Sequence, residues 1–392
     1  MLVTLSVAWA TLQLGRFLLP PLLPAIISDL EMTTLTAGIA LGALQTVYAL
    51  TQFPSGRLSD RFTRPSLVVP GIIALTGAFL LLSAATTVWI FFSAVLLLGA
   101  GKGLFAVPSR AQLADLFVKK RGQALGLYAA GTDLGGVLAA IGGVIVTGGA
   151  ALLALPNILT PMLSRGWRDP FTPLAVMLIL MTVTYIGLNR DPYRLGRTNV
   201  GLVATVRRLV TTRAQRDAMI AFALFYFVVG AWVNFLPTYL TRAKGFSEPI
   251  AAGLFAVVFL VGIVIKPAAG LLSDRVPRRA VAAGGLLFSI TALAGVVFAG
   301  SLAVVAATIA VYATGYKAVF PVADALLIDA APEGNVGGDL GAARTVFIGV
   351  GALGPIYMGG FASVANFESA FVGLGACLLM AAALLLRGLR DK

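Results

Sequence analysis

The sequence predicts an all-α integral membrane protein with twelve transmembrane helices in two pseudo-symmetric halves of six. Three observations predict this fold class. Of the 392 residues, 59% are hydrophobic and 11% are charged, whereas a soluble domain carries roughly 25% charged residues. Apolar runs long enough to cross a membrane recur along the chain. A short charged sequence between two of these runs occurs a second time, about half a chain later.

The repeated sequence runs from Gly56 to Pro65 and again from Gly270 to Arg279. Glycine, leucine, serine, aspartate and two arginines match in register, at the offset of 214 residues that separates Gly56 from Gly270. We call the two copies the doubled loop. A repeat at this distance indicates two homologous halves, because solenoid repeats recur every 20–50 residues or so. A duplicated helical bundle is typical of secondary transporters.

A membrane-spanning helix needs about 20 mostly apolar residues. Twelve runs qualify: 3–25, 35–55, 67–86, 88–113, 122–147, 171–188, 218–240, 249–269, 280–299, 301–323, 341–364 and 367–387. The predicted organisation is therefore a six-helix half over 1–188, a polar linker over 189–217 and a second half over 218–392. The segment 148–170 is long and half apolar, and we predict that it is an extracellular loop.

The distribution of basic residues predicts the orientation. Lysine and arginine are concentrated in the doubled loop, in the linker and in the C-terminal tail. Since cytoplasmic loops carry the excess of positive charge, both termini are expected to be cytoplasmic in the cell membrane. The net charge of +13 would suggest nucleic acid in a soluble protein. Here topology explains the charge, so we expect a lipid bilayer and no nucleic acid.

Histidine is absent and Cys377 is the single cysteine. These counts exclude histidine-based catalysis, histidine proton relays and clusters of histidine or cysteine around a metal. No constellation of paired carboxylates suggests an intramembrane enzyme. We therefore predict no enzymatic activity, no cofactor and no metal site. A membrane enzyme and a non-transporting sensor stay as minor alternatives.

The chain resembles the major facilitator superfamily in four features. The doubled loop is close to the G-x-L-x-D-R-x-x-R signature of that family, and it lies between spans 2 and 3 and between spans 8 and 9. Arg121-Gly122 opens span 5, and Gly166-Trp167-Arg168 precedes span 6. The fourth feature is the division of twelve spans into six and six. One departure stands out, because span 5 lacks the proline that is typical of the antiporters in this family.

The resemblance implies a monomer that moves a solute by alternating access, with a network of charges that locks the two halves in the outward-facing state. The aspartates at the ends of spans 4 and 10 share the offset of the doubled loop. The expected gating residues are Gly56, Asp60, Arg61, Arg64, Asp115, Gly270, Asp274, Arg275, Arg278 and Asp329. The alternative is that these are solvated loop charges that reflect topology alone.

Three cations stand out deep within predicted spans: Arg16, Lys102 and Lys317. Each costs roughly 2.5–3.5 kcal/mol to insert, so each is a functional candidate. The resemblance implies that spans 1, 4, 7 and 10 line the cavity, and all three cations belong to that set. A positive cleft concentrates anions, which predicts a small organic anion as substrate. Two alternatives are an ion pair between Lys102 and Asp133, and a Lys317 side chain that reaches towards the cytoplasm.

Asp133 is the one carboxylate deep within a predicted span. If Asp133 couples transport to protons, H⁺ and the substrate would compete for the same charges. The alternative is that Asp133 only neutralises the charge of Lys102. Gln45 and Tyr48 share a face of span 2, and Asn234 lies in span 7. We predict that these three polar residues contact substrate, with hydrogen bonding between helices as the alternative.

The sequence thus favours a secondary active transporter of a small organic anion, a proton symporter if Asp133 couples transport to H⁺. The alternative within transport is a multidrug/proton antiporter, which exports its substrates. Both the span 5 sequence and the predicted positive cavity disfavour that alternative.

Overall fold

The computed structural model describes residues 1–59, 63–149, 166–193, 211, 213–330, 336–364 and 367–390. In these ranges the regular structure is helical and includes no strand. The first six helices are α1 Leu2–Asp29, α2 Thr34–Ser59, α3 Pro65–Ser83, α4 Val88–Leu116, α5 Arg121–Val146 and α6 Phe171–Leu188. The others are α7 Arg213–Arg242, α8 Glu248–Ser273, α9 Arg278–Phe298, α10 Leu302–Ala330, α11 Val336–Gly351, α12 Leu353–Ser363 and α13 Phe367–Arg390.

Within the described ranges, twelve helical segments are long and apolar enough to cross a membrane. They correspond one to one with the twelve predicted spans, which confirms the predicted fold class. Most helices extend beyond the predicted apolar runs. For example, α7 begins at Arg213, inside the stretch predicted as linker. The predicted extracellular loop over 148–170 lies mostly outside the described residues.

Span 11 consists of two helices, α11 and α12, which meet at Ala352. Pro355 is the third residue of α12 and has no backbone N–H, so it cannot donate to the carbonyl four residues earlier. The interruption therefore lies next to a proline that removes one backbone hydrogen bond.

The chain divides into two compact units. The first comprises Met1–Val200 and Leu236–Ala256, and the second comprises Gly201–Phe235 and Val257–Lys392. One boundary falls between residues 200 and 201, inside the predicted linker. The exact division into halves at 188 and 218 stays a prediction.

Small residues bring the helices of the first unit close together. A Cβ atom on Gly135 of α5 would lie 2.8 Å from the carbonyl oxygen of Ala10 on α1, and one on Gly131 would lie 3.1 Å from Trp9. The indole Nε1 of Trp9 donates to Thr132 on α5 at 2.9 Å. Glycines spaced four apart permit this approach of membrane helices. The contact fixes the position of α1 relative to α5.

The Gly-Trp-Arg sequence before α6 forms polar contacts with the C-terminal ends of α1 and α3. Arg168 forms an ion pair with Asp29 at the end of α1, with Nη2 2.5 Å from Oδ2. Its Nε donates to the carbonyl of Ala85 after α3 at 2.6 Å, and Trp167 Nε1 donates to Asp29 at 3.2 Å. Gly166 has a φ of +152°, a conformation that side chains disfavour.

We expect Gly135→Ala to lower the free energy of unfolding by about 1–3 kcal/mol, because the added methyl group would push α1 and α5 apart. Gly126→Ala on the same helix is the matched control, since a Cβ there meets nothing within 4 Å. Thermal unfolding of the two purified variants in detergent measures the difference. Equal midpoints would show that the glycine contact does not limit the packing.

Candidate functional site

Lys102 lies in the middle of α4 and is 5% exposed. Its Nζ lies 4.1 Å from the ring centroid of Tyr48 on α2, and the Tyr48 hydroxyl accepts a hydrogen bond from Gln52 Nε2 at 3.3 Å. A cation over an aromatic face is stabilised by about 0.5–2 kcal/mol. Tyr48, which was predicted to contact substrate, is therefore in direct contact with one of the predicted cations.

Glycines on both sides of Lys102 explain why it is so deeply enclosed. A Cβ on Gly99 or Gly103 would collide with Leu44 or Thr51 of α2. A Cβ on Gly101 would lie 2.9 Å from Leu75 of α3. Three glycines in five residues thus let two helices approach α4 where it carries its lysine.

Two arginines act on the Lys102 ammonium group with like charge, namely Arg16 of α1 and Arg110 of α4. Arg16 is half-buried, and its guanidinium Cζ lies 4.6 Å from the ring centroid of Phe17. All three cations belong to the first unit. We call Arg16, Lys102 and Arg110 the cationic cluster.

Arg110 was not among the residues predicted from the sequence. It falls inside the predicted span 88–113 and lies eight residues after Lys102, about two helical turns away. Position in the span was a signal that could have identified it. Its proximity to the end of α4 made it resemble an interfacial arginine.

Two aromatic rings hold the Arg110 side chain. Its Cζ lies 5.1 Å from the ring centroid of Trp9 and 5.7 Å from that of Tyr128. The two rings stack on each other with centroids 5.1 Å apart and an interplanar angle of 21°. Tyr128 also shares a 2.7 Å hydrogen bond with Ser109. Residues of α1, α4 and α5 thus combine to orient one guanidinium group.

Three glutamines of the first unit keep a buried carbonyl oxygen that has no hydrogen-bond partner among the described residues. They are Gln13 on α1, and Gln45 and Gln52 on α2. A buried acceptor without a donor costs about 1–3 kcal/mol. Polar ligands with hydroxyl groups, or bound water, would satisfy these oxygens. Gln45 was predicted from the sequence, and the other two add to the polar lining of the same unit.

Asp133 is buried on α5, with 4% of its surface exposed. The ion pair between Asp133 and Lys102 stays an alternative. Asp133 remains the candidate for proton coupling.

In the second unit Lys317 of α10 is 3% exposed. Its Nζ lies 4.6 Å from the ring centroid of Phe259 and 5.2 Å from that of Tyr316. This enclosure is unlike that of a lysine that reaches an aqueous interface. Asn234 is also buried, and its Nδ2 donates to the carbonyl of Gly230 in its own helix at 2.7 Å.

Aromatic side chains of α7 and α10 line the interior of the second unit. Trp232 packs on Tyr312 with ring centroids 4.4 Å apart, and Tyr312 stacks on Tyr316 at 5.7 Å. Phe225 meets Phe320 at 5.2 Å. The predicted cation Lys317 therefore sits next to an apolar, aromatic surface, which the sequence pattern alone did not reveal.

The doubled loop has the same role in both units. Arg64 before α3 pairs with Asp115 near the end of α4, with Nε 3.2 Å from Oδ2, and it also donates to Ser59. Its counterpart Arg278 donates to the carbonyl of Ala325 of α10 at 2.9 Å, one turn before Asp329. Each arginine thus joins two neighbouring helices within its own unit.

The structure gives less information about the other predicted gating residues. Asp60 and Arg61 lie outside the described residues, as does the side chain of Asp329. Asp274 and Arg275 are exposed. A Cβ on Gly56 would lie 3.5 Å from Val107, whereas one on Gly270 would meet nothing within 4 Å. A charge lock between the two halves stays a prediction.

The family model for the Major Facilitator Superfamily matches residues 5–277 and 249–392. The chain is 26% identical over 304 residues to a probable sulfoacetate transporter of Cupriavidus necator, covering 72% of this chain and 66% of that protein. It is 22% identical over 405 residues to the hexuronate transporter of Bacillus subtilis, covering 94% of this chain and 89% of that protein.

Among solved structures, the chain is similar to a bacterial homolog of the human lysosomal transporter Spinster, crystallised in an inward-facing and occupied conformation. The TM-score is 0.82 at 17% sequence identity, and the match covers 100% of this chain and 96% of the other. This likeness shows the fold.

We expect Lys102→Met to raise the free energy of unfolding by about 1–4 kcal/mol, the range seen when apolar residues replace buried charges. Methionine has a similar length and removes a cation that two arginines repel. Lys119→Met is the control, because Lys119 is exposed and should leave the thermal midpoint unchanged. A lower midpoint for Lys102→Met would instead indicate that the lysine stabilises the fold.

Proposed function

This chain belongs to the Major Facilitator Superfamily, and we propose that it is a secondary active transporter which carries a small organic anion across the cell membrane. Alternating access of a central site is the mechanism that this assignment favours. The observation that supports an anion is the cationic cluster of Arg16, Lys102 and Arg110. A buried lysine near like charges is costly, and an anionic substrate would offset that cost when it binds.

The chemistry of the cluster suits an acidic group. Arginine offers a planar fork that matches a carboxylate, a sulfonate or a phosphate, and lysine adds a point charge. Tyr48 beneath Lys102 and the buried oxygen of Gln45 add polar contacts for hydroxyl groups of the solute. Asn234 and Lys317 are proposed as further substrate contacts.

The names of the relatives support the same substrate class. One is named for sulfoacetate and another for hexuronate, and both compounds are organic anions. A multidrug resistance protein of Shigella dysenteriae matches over 165 residues, 40% of this chain, which is weaker support for an exporter of cationic drugs.

We propose that Asp133 couples transport to protons. It is a buried carboxylate in the unit that carries the cationic cluster. A carboxyl group in such a place binds and releases a proton as the surrounding charges change. The anion would then move together with H⁺, as in a symporter.

The remaining proposals concern location and gating. The bias of basic residues supports a cell-membrane protein with both termini in the cytoplasm, and the family resemblance supports a monomer. Arg64 and Arg278 are proposed to hold neighbouring helices together as rigid pairs while the transporter changes state. A few paired charges are enough to bias a bistable interface.

A thermal-shift panel on the purified protein tests the substrate class. Small carboxylates, sulfonates and phosphate esters form one arm, and lipophilic cations with neutral sugars form the other. We expect anions to raise the thermal midpoint, because a ligand that binds only the folded state stabilises it. Arg16→Ala should abolish the shift, whereas the control Arg242→Ala should retain it because Arg242 is exposed. Stabilisation by cations alone, unchanged in Arg16→Ala, would favour the drug exporter.

A second experiment tests proton coupling in liposomes that contain the purified protein and the anion with the largest thermal shift. We expect Asp133→Asn to abolish accumulation driven by a pH gradient and to leave exchange of labelled for unlabelled anion intact, because only the coupled step needs a protonatable group. Asp191→Asn is the control, since Asp191 is exposed. Accumulation that persists in Asp133→Asn would rule out this carboxylate as the proton carrier.

A further inference from the structure

Glutamines on the first two helices carry buried amide oxygens that accept no hydrogen bond from the described residues. Gln13 of α1 and Gln52 of α2 are 3% and 2% exposed, and the Oε1 atom of each is buried without a partner. Gln45 of α2 is half-buried, and its Oε1 atom also lacks a partner. A buried acceptor without a donor carries the whole cost of leaving water, so these oxygens need an explanation.

A fourth glutamine shows how the first unit satisfies such a group where packing alone is at stake. Gln112 of α4 is 3% exposed, and the Tyr185 hydroxyl of α6 donates to its Oε1 atom at 2.7 Å. Tyr185 is itself fully buried, so this hydrogen bond joins two helices. Within the described ranges Gln13 and Gln52 have no such donor, which distinguishes them from a glutamine with a purely structural role.

Contacts with neighbouring helices and side chains hold the two unsatisfied amides. Gln52 donates through Nε2 to the Tyr48 hydroxyl at 3.3 Å, so the nitrogen of this amide is engaged and its oxygen is not. A Cβ on Gly135 of α5 would lie 2.8 Å from the Cβ of Gln13, so α5 confines the Gln13 side chain at its base. Both oxygens are therefore held in place without a donor from the described part of the chain.

The chemistry of an amide oxygen determines which ligand group can satisfy it. This oxygen accepts hydrogen bonds and donates none, so the matching group must be a donor, which excludes ether and carbonyl oxygens. An ammonium group is charged, and it enters a buried site only at high cost or with a carboxylate partner. A hydroxyl group is an uncharged donor, so it is the ligand group that fits. Ordered water is the other neutral donor.

We propose that the substrate is a hydroxylated organic acid and that Gln13 and Gln52 recognise its hydroxyl groups. This inference rests on the proposed transport of an organic anion and narrows its class. A hydroxyl group that donates to either oxygen adds affinity, because it offsets the desolvation of that oxygen. An acid without hydroxyl groups leaves both oxygens unpaired, and a site built to bind a hydroxyl group rejects such an analogue strongly.

Ligands that share one carbon skeleton test this assignment on the wild-type protein. Butyrates with a hydroxyl group on the second, third or fourth carbon are each compared with butyrate and with the methoxy and amino analogues substituted at the same carbon. Gluconate and hexanoate form a longer pair. Dissociation constants are measured by thermal-shift titration in detergent. We expect at least one hydroxy acid to bind about tenfold or more tightly than its counterparts, because only the hydroxyl group is a neutral donor.

Substitutions by methionine, which keeps the length of the side chain and removes the acceptor, test the two glutamines. At least one of Gln13→Met and Gln52→Met should lower the preference for the hydroxy acid about fivefold or more, and both should change binding of the plain acid less than about twofold. Gln123→Met, at an exposed glutamine of α5, should match the wild-type protein. Gln112→Met should lower the thermal midpoint without altering the preference, because Tyr185 loses its acceptor.

The outcomes separate this inference from the proposed function. A preference for hydroxy acids that both Gln13→Met and Gln52→Met retain would overturn the role of the two glutamines and leave anion transport standing. Equal binding of hydroxy and plain acids to the wild-type protein would overturn the substrate class, with ordered water as the donor to these oxygens.

The methoxy and amino analogues do not depend on whether a variant folds. A methoxy or amino acid that binds as tightly as the hydroxy acid would overturn the substrate class, because a neutral donor would then not be what the site selects. Binding of other anions, with none of the hydroxy acids bound, would also overturn it. If no anion binds to the wild-type protein, the proposed anion transport fails as well.

Discussion

The burial of Lys102 near two like charges is the physical constraint on which the rest of the first unit depends. Lys102 is almost fully buried, and the positive charges of Arg16 and Arg110 act on it. Charges in a low-dielectric interior repel several times more strongly than in water. Folding alone gives no reason to gather them, because apolar residues would pack there at lower cost. The arrangement becomes favourable when a ligand supplies negative charge, which links the cost in stability to the function.

The packing of the helices makes this arrangement possible. Glycines on α4 admit α2 and α3 at close range, and Gly135 does the same between α5 and α1. These contacts rely on van der Waals attraction, because lipid provides no hydrophobic force between helices. They bring Tyr48 against Lys102, and Trp9 with Tyr128 against Arg110. Lys102 and Arg110 are therefore both in contact with aromatic rings.

The sequence was sufficient to predict the spans, because crossing a membrane imposes a length and composition that are visible in one dimension. It also predicted that Lys102 and Lys317 lie within spans, since charged residues in apolar runs are conspicuous. Arg110 was not predicted, because the residues around it come from three helices that are far apart in the chain. Only the packed structure shows that Trp9 and Tyr128 contact its side chain. The same holds for the aromatic surface beside Lys317. The interruption at Ala352 could not be predicted from Pro355, because prolines also lie inside uninterrupted helices such as α1 and α4.

The central claim is that the cationic cluster binds the acidic groups of the substrate. The most direct measurement is the structure of the protein with a bound organic anion, determined by cryo-electron microscopy at a resolution that shows side chains. The account predicts ligand density whose acidic group contacts at least one of Arg16, Lys102 and Arg110. Density for a bound anion that contacts none of these three cations would contradict it.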